Sequence, residues 1–310
     1  MSSRGLFAPR GAWNLIEWAN NDLEPYGEVC ANNMMLAYCY KKISEYYRSV
    51  CENDLADAYG CKFESLKGLI NKCFWSEERH AYVDMIRDEL SYEIHVDFCR
   101  EKGLPVREYS EFRAAERISV QTATFAVLFD CADGERAEYC KEIIIGDARR
   151  GNFKRGTPSK RTYGAPSEEE APLGIVRTGT PFFLYYLLKA LFKMGEHELA
   201  LGVIRRDYGE MIDDGIRTCV ETFKDDKGEW GRSMAHGWGS APAVFLKSEI
   251  LGVKPLDKGY RKFTVAPHLC GLKFASGSVF TPYGKISVSV TENGGEVLVK
   301  CDAPAECEMV

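Results

Sequence analysis

Hydrophobic periodicity changes once along this chain, near residue 253, and that change limits the fold more than any other feature. Before it, apolar residues recur at the three-to-four spacing of a helix face: Val29, Met34, Leu36, Ala37, Tyr40, Ile43 and Tyr47 make one such stripe. The same spacing predicts helices over residues 28–50, 55–74, 85–102, 119–129, 135–145, 180–194, 196–211 and 238–251. Gly146 is placed to end the fifth of them and Pro181 to start the sixth. Residues 75–84, WSEERHAYVD, read as a short extended or turn segment. After residue 253 the pattern alternates, over 260–265, 272–279, 286–291 and 296–301. Glu292-Asn293-Gly294-Gly295 supplies a hairpin turn between the last two strands.

These elements predict a mainly α part followed by a small antiparallel β-sandwich, with a boundary near Val253-Lys254-Pro255. Paired helices without strands between them suit a toroid of helical hairpins or an α-solenoid. No fixed-period repeat is visible, which favours the toroid. Residues 148–174 break the pattern with Gly, Pro, Ser and charge, and form a long loop or insertion. The run Glu168-Glu169-Glu170 within it reads as a solvated stretch.

Charge excludes one class of partner. A net charge of −6 leaves no basic stripe to displace counterions from phosphate, so nucleic acid is not expected. The longest apolar runs carry polar breaks and are too short for a bilayer, so no membrane partner is expected either. The 12 cysteines are scattered without any CxxC spacing, which argues against a zinc site. No metal and no other cofactor is expected. Scattered thiols fit a reducing compartment, which favours a cytoplasmic location.

The stretch Gly209–Gly252 concentrates candidate chemistry. A helix ends near residues 211–215, Glu221 follows, and a polar, Gly-rich loop leads to His236-Gly237-Trp238. Glycoside hydrolysis uses a pair of carboxyl groups, one of which can act as a base on water. Glu221 suits that role, with Cys219, Val220 and Phe223 as apolar neighbours that favour its protonated form. From context alone, a carboxylate at a helix–loop junction is more often a plain surface group. His236 suits a sugar hydroxyl, although a lone His near a helix start is more often structural. Trp238 can stack on a sugar face or simply begin a core helix. A second cluster, Trp13, Glu17 and Trp18 with Asp22, Glu24 and Glu28 beyond, fits either a sugar-facing loop or the acidic first turn of a helix.

In order, WNLIEW, YVD, ISVQTATFAVLF, GTPFFLYYLLKALFKMG, GIRTCVE, SMAHGWGSAP, FLKSEILGVKP, VAPHL and TPYGKISV resemble the bacterial α-L-rhamnosidases of glycoside hydrolase family 78. The resemblance covers nearly the whole chain. It implies part of an (α/α)6 six-hairpin barrel over residues 1–252 and a C-terminal β-sandwich domain over 253–310. It further implies Glu221 as general base and His236 as a sugar-contacting residue. Trp18 becomes a wall of the sugar pocket, with Glu17 beside it and Trp238 as a further substrate contact. Arg217 and Val220 stand where the family usually has Thr and Trp.

Nothing here resembles the family's earlier segment that carries the general acid, and fewer helices are visible than six hairpins need. The resemblance therefore implies an N-terminally truncated chain, comprising the later part of the barrel and its sandwich. The expected activity is inverting, metal-independent hydrolysis of terminal α-L-rhamnosyl residues. The rivals are another six-hairpin glycosidase and an inactive, carbohydrate-binding remnant. Expected partners are a rhamnose-containing glycoside or oligosaccharide, and either the N-terminal remainder of the enzyme or a second copy of the chain.

Overall fold

A computed structural model describes residues 1–9, 14, 16–17, 26–150, 175–224, 228–231 and 233–310. They group into two compact units, one of Met1–Ala190 with Thr222–Gly231, the other of Leu191–Glu221 with Arg232–Val310.

The first unit is built from helical hairpins. α1 (Cys30–Ser49) packs along α2 (Asn53–Cys73), and a two-residue antiparallel pair follows, β1 (Trp75–Ser76) with β2 (Ala81–Tyr82). This is the turn segment expected over 75–84. α3 (Glu89–Lys102) is capped by Asp88, whose carboxylate accepts from the Ser91 N–H at 3.0 Å. A short α4 (Tyr109–Ala114), which periodicity did not signal, then places Phe112 in the core.

β3 (Ile118–Ser119) leads into α5 (Val120–Leu128), all nine residues of which are buried. A helix buried on every side is a core helix. Its cap is tied down by a buried carboxylate: Asp84 Oδ1 accepts from the hydroxyls of Ser119 at 2.6 Å and Thr122 at 2.5 Å. α6 (Gly134–Arg149) pairs with α5, and β4 (Ile175–Val176) runs parallel to β3. α7 (Pro181–Lys193) begins at proline as expected and stacks Phe183 and Tyr186 on Phe125 at 5.4 and 5.1 Å. Thus α1, α6, α7 and the short strands β2, β3 and β4 pack against α5.

Gly146 does not end α6. The helix continues to Arg149 because Asp147 and Ala148 are both buried and Asp147 has a distant partner. Arg177 Nε donates to Asp147 Oδ1 at 2.5 Å, and the Thr178 hydroxyl donates to Oδ2 at 2.6 Å. Tertiary packing overrides the local stop signal.

In the second unit, α8 (His197–Asp213) is closed by Gly215 in the left-handed region (φ 75°), and Ile216 N–H reaches back to Met211 O at 2.9 Å. The helix expected over 238–251 is broken into three pieces. A 3₁₀ turn (Gly237–Ser240) precedes α9 (Ala241–Phe245), and a single π turn (Leu246–Ile250) closes with Leu251 N–H on Leu246 O. The first break has a local cause: this turn is held against Cys219, Val220 and Glu221, as described below.

Two three-stranded sheets complete the unit. One orders β5 (Val253–Pro255), β6 (Lys262–Val265) and β10 (Glu308–Met309), with β10 parallel to β6. The other is the antiparallel meander of β7 (Phe274–Thr281), β8 (Gly284–Asn293) and β9 (Glu296–Asp302). Alternate residues Ile286, Val288 and Val290 of β8 join Phe263, Val253 and Val279 in a common core, which makes the pair a small sandwich. Gly294 and Gly295, at φ 61° and 90°, form the two-residue turn expected between β8 and β9.

Candidate active site

Glu221 lies on an irregular segment after α8, and a second segment runs alongside it. Glu221 N–H donates to Ser233 O at 2.9 Å, and His236 N–H donates to Cys219 O at 2.7 Å. The Thr218 hydroxyl donates to Met234 O, and the Trp238 indole N–H donates to Glu221 O at 3.4 Å. Four contacts thus hold Thr218, Cys219 and Glu221, three residues of this segment.

The carboxylate itself is mostly buried, with 12% of its side chain exposed. Ser233 N–H donates to its Oε2 at 3.3 Å, and His236 Nδ1 lies 3.6 Å from the same oxygen. The His236 and Trp238 rings meet at 4.1 Å between centroids. One carboxylate, one imidazole and one indole are therefore gathered on two short stretches of chain. A carboxylate so held can take a proton from water, and an imidazole beside it can bind a hydroxyl.

Gly239 was not singled out by the sequence. A Cβ at this position would lie 2.5 Å from Val220 O and 3.1 Å from Cys219 Cβ. Its role follows from the close approach of two backbones, which periodicity does not reveal. The second glycine of HGWG is the only sequence signal that pointed to it.

The remaining candidates are placed differently. Glu17 belongs to the first unit, is buried, and accepts from the Gly179 N–H at 2.6 Å. Glu28 is buried and paired with Arg4. Trp13, Trp18, Asp22 and Glu24 lie outside the described residues. Among the described residues, no group of three or more His, Cys, Asp or Glu could hold a metal ion, and no helix is long and apolar enough to cross a membrane. The cysteines are free thiols.

Residues 252–310 match the family model of the bacterial α-L-rhamnosidase C-terminal domain. The chain resembles the α-L-rhamnosidases. The crystal structure of the glycoside hydrolase family 78 rhamnosidase of Bacillus sp. GL1 superposes with a TM-score of 0.76 at 28% identity, covering 99% of this chain and 28% of that one. Native α-L-rhamnosidase from Aspergillus terreus gives 0.64 at 15% identity, covering all of this chain (100%) and 32% of its own. The Streptomyces avermitilis α-L-rhamnosidase complexed with L-rhamnose gives 0.57 at 13% identity, covering 89% of this chain and 22% of its own. The last two show likeness of fold alone. None of the curated proteins matches this chain. The expected fold, part of an (α/α)6 barrel followed by a small β-sandwich, agrees with these neighbours. This chain spans about a third or less of the length of the rhamnosidases it matches.

Proposed function

We propose that this chain contributes the general-base side of an α-L-rhamnosidase site, with Glu221 as the base of an inverting hydrolysis. Residues 1–252 would form the helical, catalytic part and 253–310 the sandwich domain. The observation that carries the reading is the mostly buried Glu221 carboxylate with His236 Nδ1 at 3.6 Å. The family likeness of residues 252–310 and the fold likeness of the whole chain support rhamnose as the sugar. L-rhamnose is bound in the Streptomyces avermitilis structure.

In this reading Glu221 removes a proton from water as its oxygen attacks the anomeric carbon. The glycosidic C–O bond breaks, and its oxygen leaves with a proton from a second carboxylic acid, to which no residue here is assigned. His236 holds a sugar hydroxyl beside the base. Trp238 is a further candidate for sugar contact.

The test is turnover of an aryl α-L-rhamnoside by the full-length protein, with the first anomer of released rhamnose read by proton NMR. Inversion predicts the β-anomer first. Glu221→Gln should lower kcat by roughly two to four orders of magnitude with KM nearly unchanged, because the base acts on the developing nucleophile. His236→Ala should mainly raise KM. Release of the α-anomer first, or undiminished turnover in Glu221→Gln, would overturn the assignment.

A further inference from the structure

Two groups, Gly239 and the Trp238 indole, bear on the backbone of Glu221 and its neighbours. Gly239 packs so closely on Val220 that a Cβ would sit 2.5 Å from its carbonyl oxygen, a distance that real Cβ atoms do not adopt. The nearest atoms are backbone and the Cys219 Cβ, so relief requires main-chain movement rather than a rotamer change. Gly239 is buried and its N–H donates to His236 O at 3.0 Å, so the 3₁₀ turn carrying it is itself fixed. On the same turn Trp238 donates its indole N–H to Glu221 O at 3.4 Å.

We infer that Gly239 and Trp238 are positioning residues for Glu221: the missing side chain at 239 lets the 3₁₀ turn close on residues 219–221, and the Trp238 indole holds the Glu221 peptide. Gly239 is an ordinary φ < 0 position, so its conformation does not call for glycine. Contact alone does, and the atom contacted is one residue from the proposed base. Trp238 thereby has a main-chain task that a sugar-stacking role does not require.

The consequence is kinetic. A Cβ at 239 must push the Val220 carbonyl away by about 0.9 Å to go from 2.5 Å to the 3.4 Å of ordinary contact, and Glu221 moves with it. Misplacing a catalytic group by about 1 Å can cost roughly a hundredfold. Gly239→Ala should therefore lower kcat by about 10- to 100-fold and leave KM within about twofold.

This inference rests on Glu221 being the base, and the experiment separates the two. In Glu221→Ala, azide can replace the activated water: it needs no base, and its C–N bond forms as the glycosidic C–O bond breaks. Turnover rescued by azide is blind to where a carboxylate would sit. Gly239→Ala is expected to cost less than about twofold in that background, against its full effect in the protein that keeps Glu221. An equal loss in both backgrounds would overturn the positioning role in favour of a general structural one. Glu221→Ala that keeps its turnover, or gains nothing from azide, would instead sink the base assignment.

A crystal structure of Gly239→Ala tests the geometry without activity: the Glu221 carboxylate should be displaced from His236 Nδ1, and an unmoved carboxylate refutes the inference. Should that variant not fold, Trp238→Phe keeps an aromatic ring and removes the indole N–H with its five-membered ring. It is expected to lower kcat several-fold with KM unchanged, whereas a change confined to KM would make Trp238 a sugar contact and refute its positioning role.

Discussion

Asp147→Ala should be among the most destabilising single changes in the first unit, and its size follows from burial. Asp147 and Arg177 have only 2% and 5% of their side chains exposed. Arg177 Nε donates to the carboxylate, and Nη2 donates to the Asp147 carbonyl at 3.0 Å. Truncating the acid breaks a buried ion pair by removing one member, which costs about 3–5 kcal/mol. The exposed pair of Arg48 and Asp57, at 57% and 69% exposure, is the internal control, and Asp57→Ala should cost less than about 1 kcal/mol. Replacing both members, as Asp147→Leu with Arg177→Met, should recover much of the loss, because the cost of keeping a buried charge rather than the missing attraction dominates. Urea unfolding followed by circular dichroism measures all of these. The same ion pair anchors the strand end that leads to Gly179, whose N–H donates to Glu17. Amide exchange at Gly179 should therefore quicken in Asp147→Ala. A loss near that of Asp57→Ala would refute the argument.

Two further outcomes follow from titratable groups. His95 is buried, accepts the Arg107 N–H on Nε2 at 3.2 Å and meets the Tyr26 hydroxyl at Nδ1, so its neutral form is fixed in place. Burial, with Arg87 nearby, lowers its pKa from the ordinary 6.5; its contribution to stability is complete above that value and is lost as pH falls below it. Melting temperature should drop more steeply below about pH 6.5 in the wild type than in His95→Gln, and parallel curves would count against this. Thiol reactivity should separate cleanly, with exposed Cys39, Cys51 and Cys61 labelling fast in the native protein. Burial pushes the Cys131 and Cys140 thiols up to about 12, so both should label only on unfolding, as counted by mass spectrometry.

What the sequence revealed is what local patterns control. The stripe from Val29 to Tyr47 specifies α1, and the two glycines at 294–295 specify the β8–β9 hairpin, since each acts on its immediate neighbours. Failures came where a distant partner decides. Gly146 reads as a stop, but a carboxylate one residue on pairs with an arginine 30 residues away, and α6 continues. The run from Trp238 to Leu251 has helical spacing, yet Gly239 packs on Val220 and the first turn is 3₁₀. Glu221, His236 and Trp238 were legible as residue types in motifs. Their 3.6 and 4.1 Å spacings were not, because backbone pairing between residues 218–221 and 233–238 sets them.

That pairing also bears on the two places where the Glu221 segment departs from the resembled pattern. Arg217 is exposed and Val220 is fully buried beneath Gly239. The contacts that locate Glu221 run through its own N–H and carbonyl, the Cys219 carbonyl and the Ser233 N–H, with Trp238 and Thr218 as side-chain donors. Neither Arg217 nor Val220 contributes a side chain to any of them. A smaller residue at 220 therefore changes the volume of a buried site while leaving these contacts of Glu221 intact. A Trp there would have to fit a large ring into the fully buried site that the Val220 side chain occupies, and overpacking of that kind typically costs about 1–3 kcal/mol. The local sequence is consistent with itself: a glycine stands where its backbone nearly touches the Val220 carbonyl, and the Glu221 carboxylate, the proposed base, is held by the main chain beside that contact.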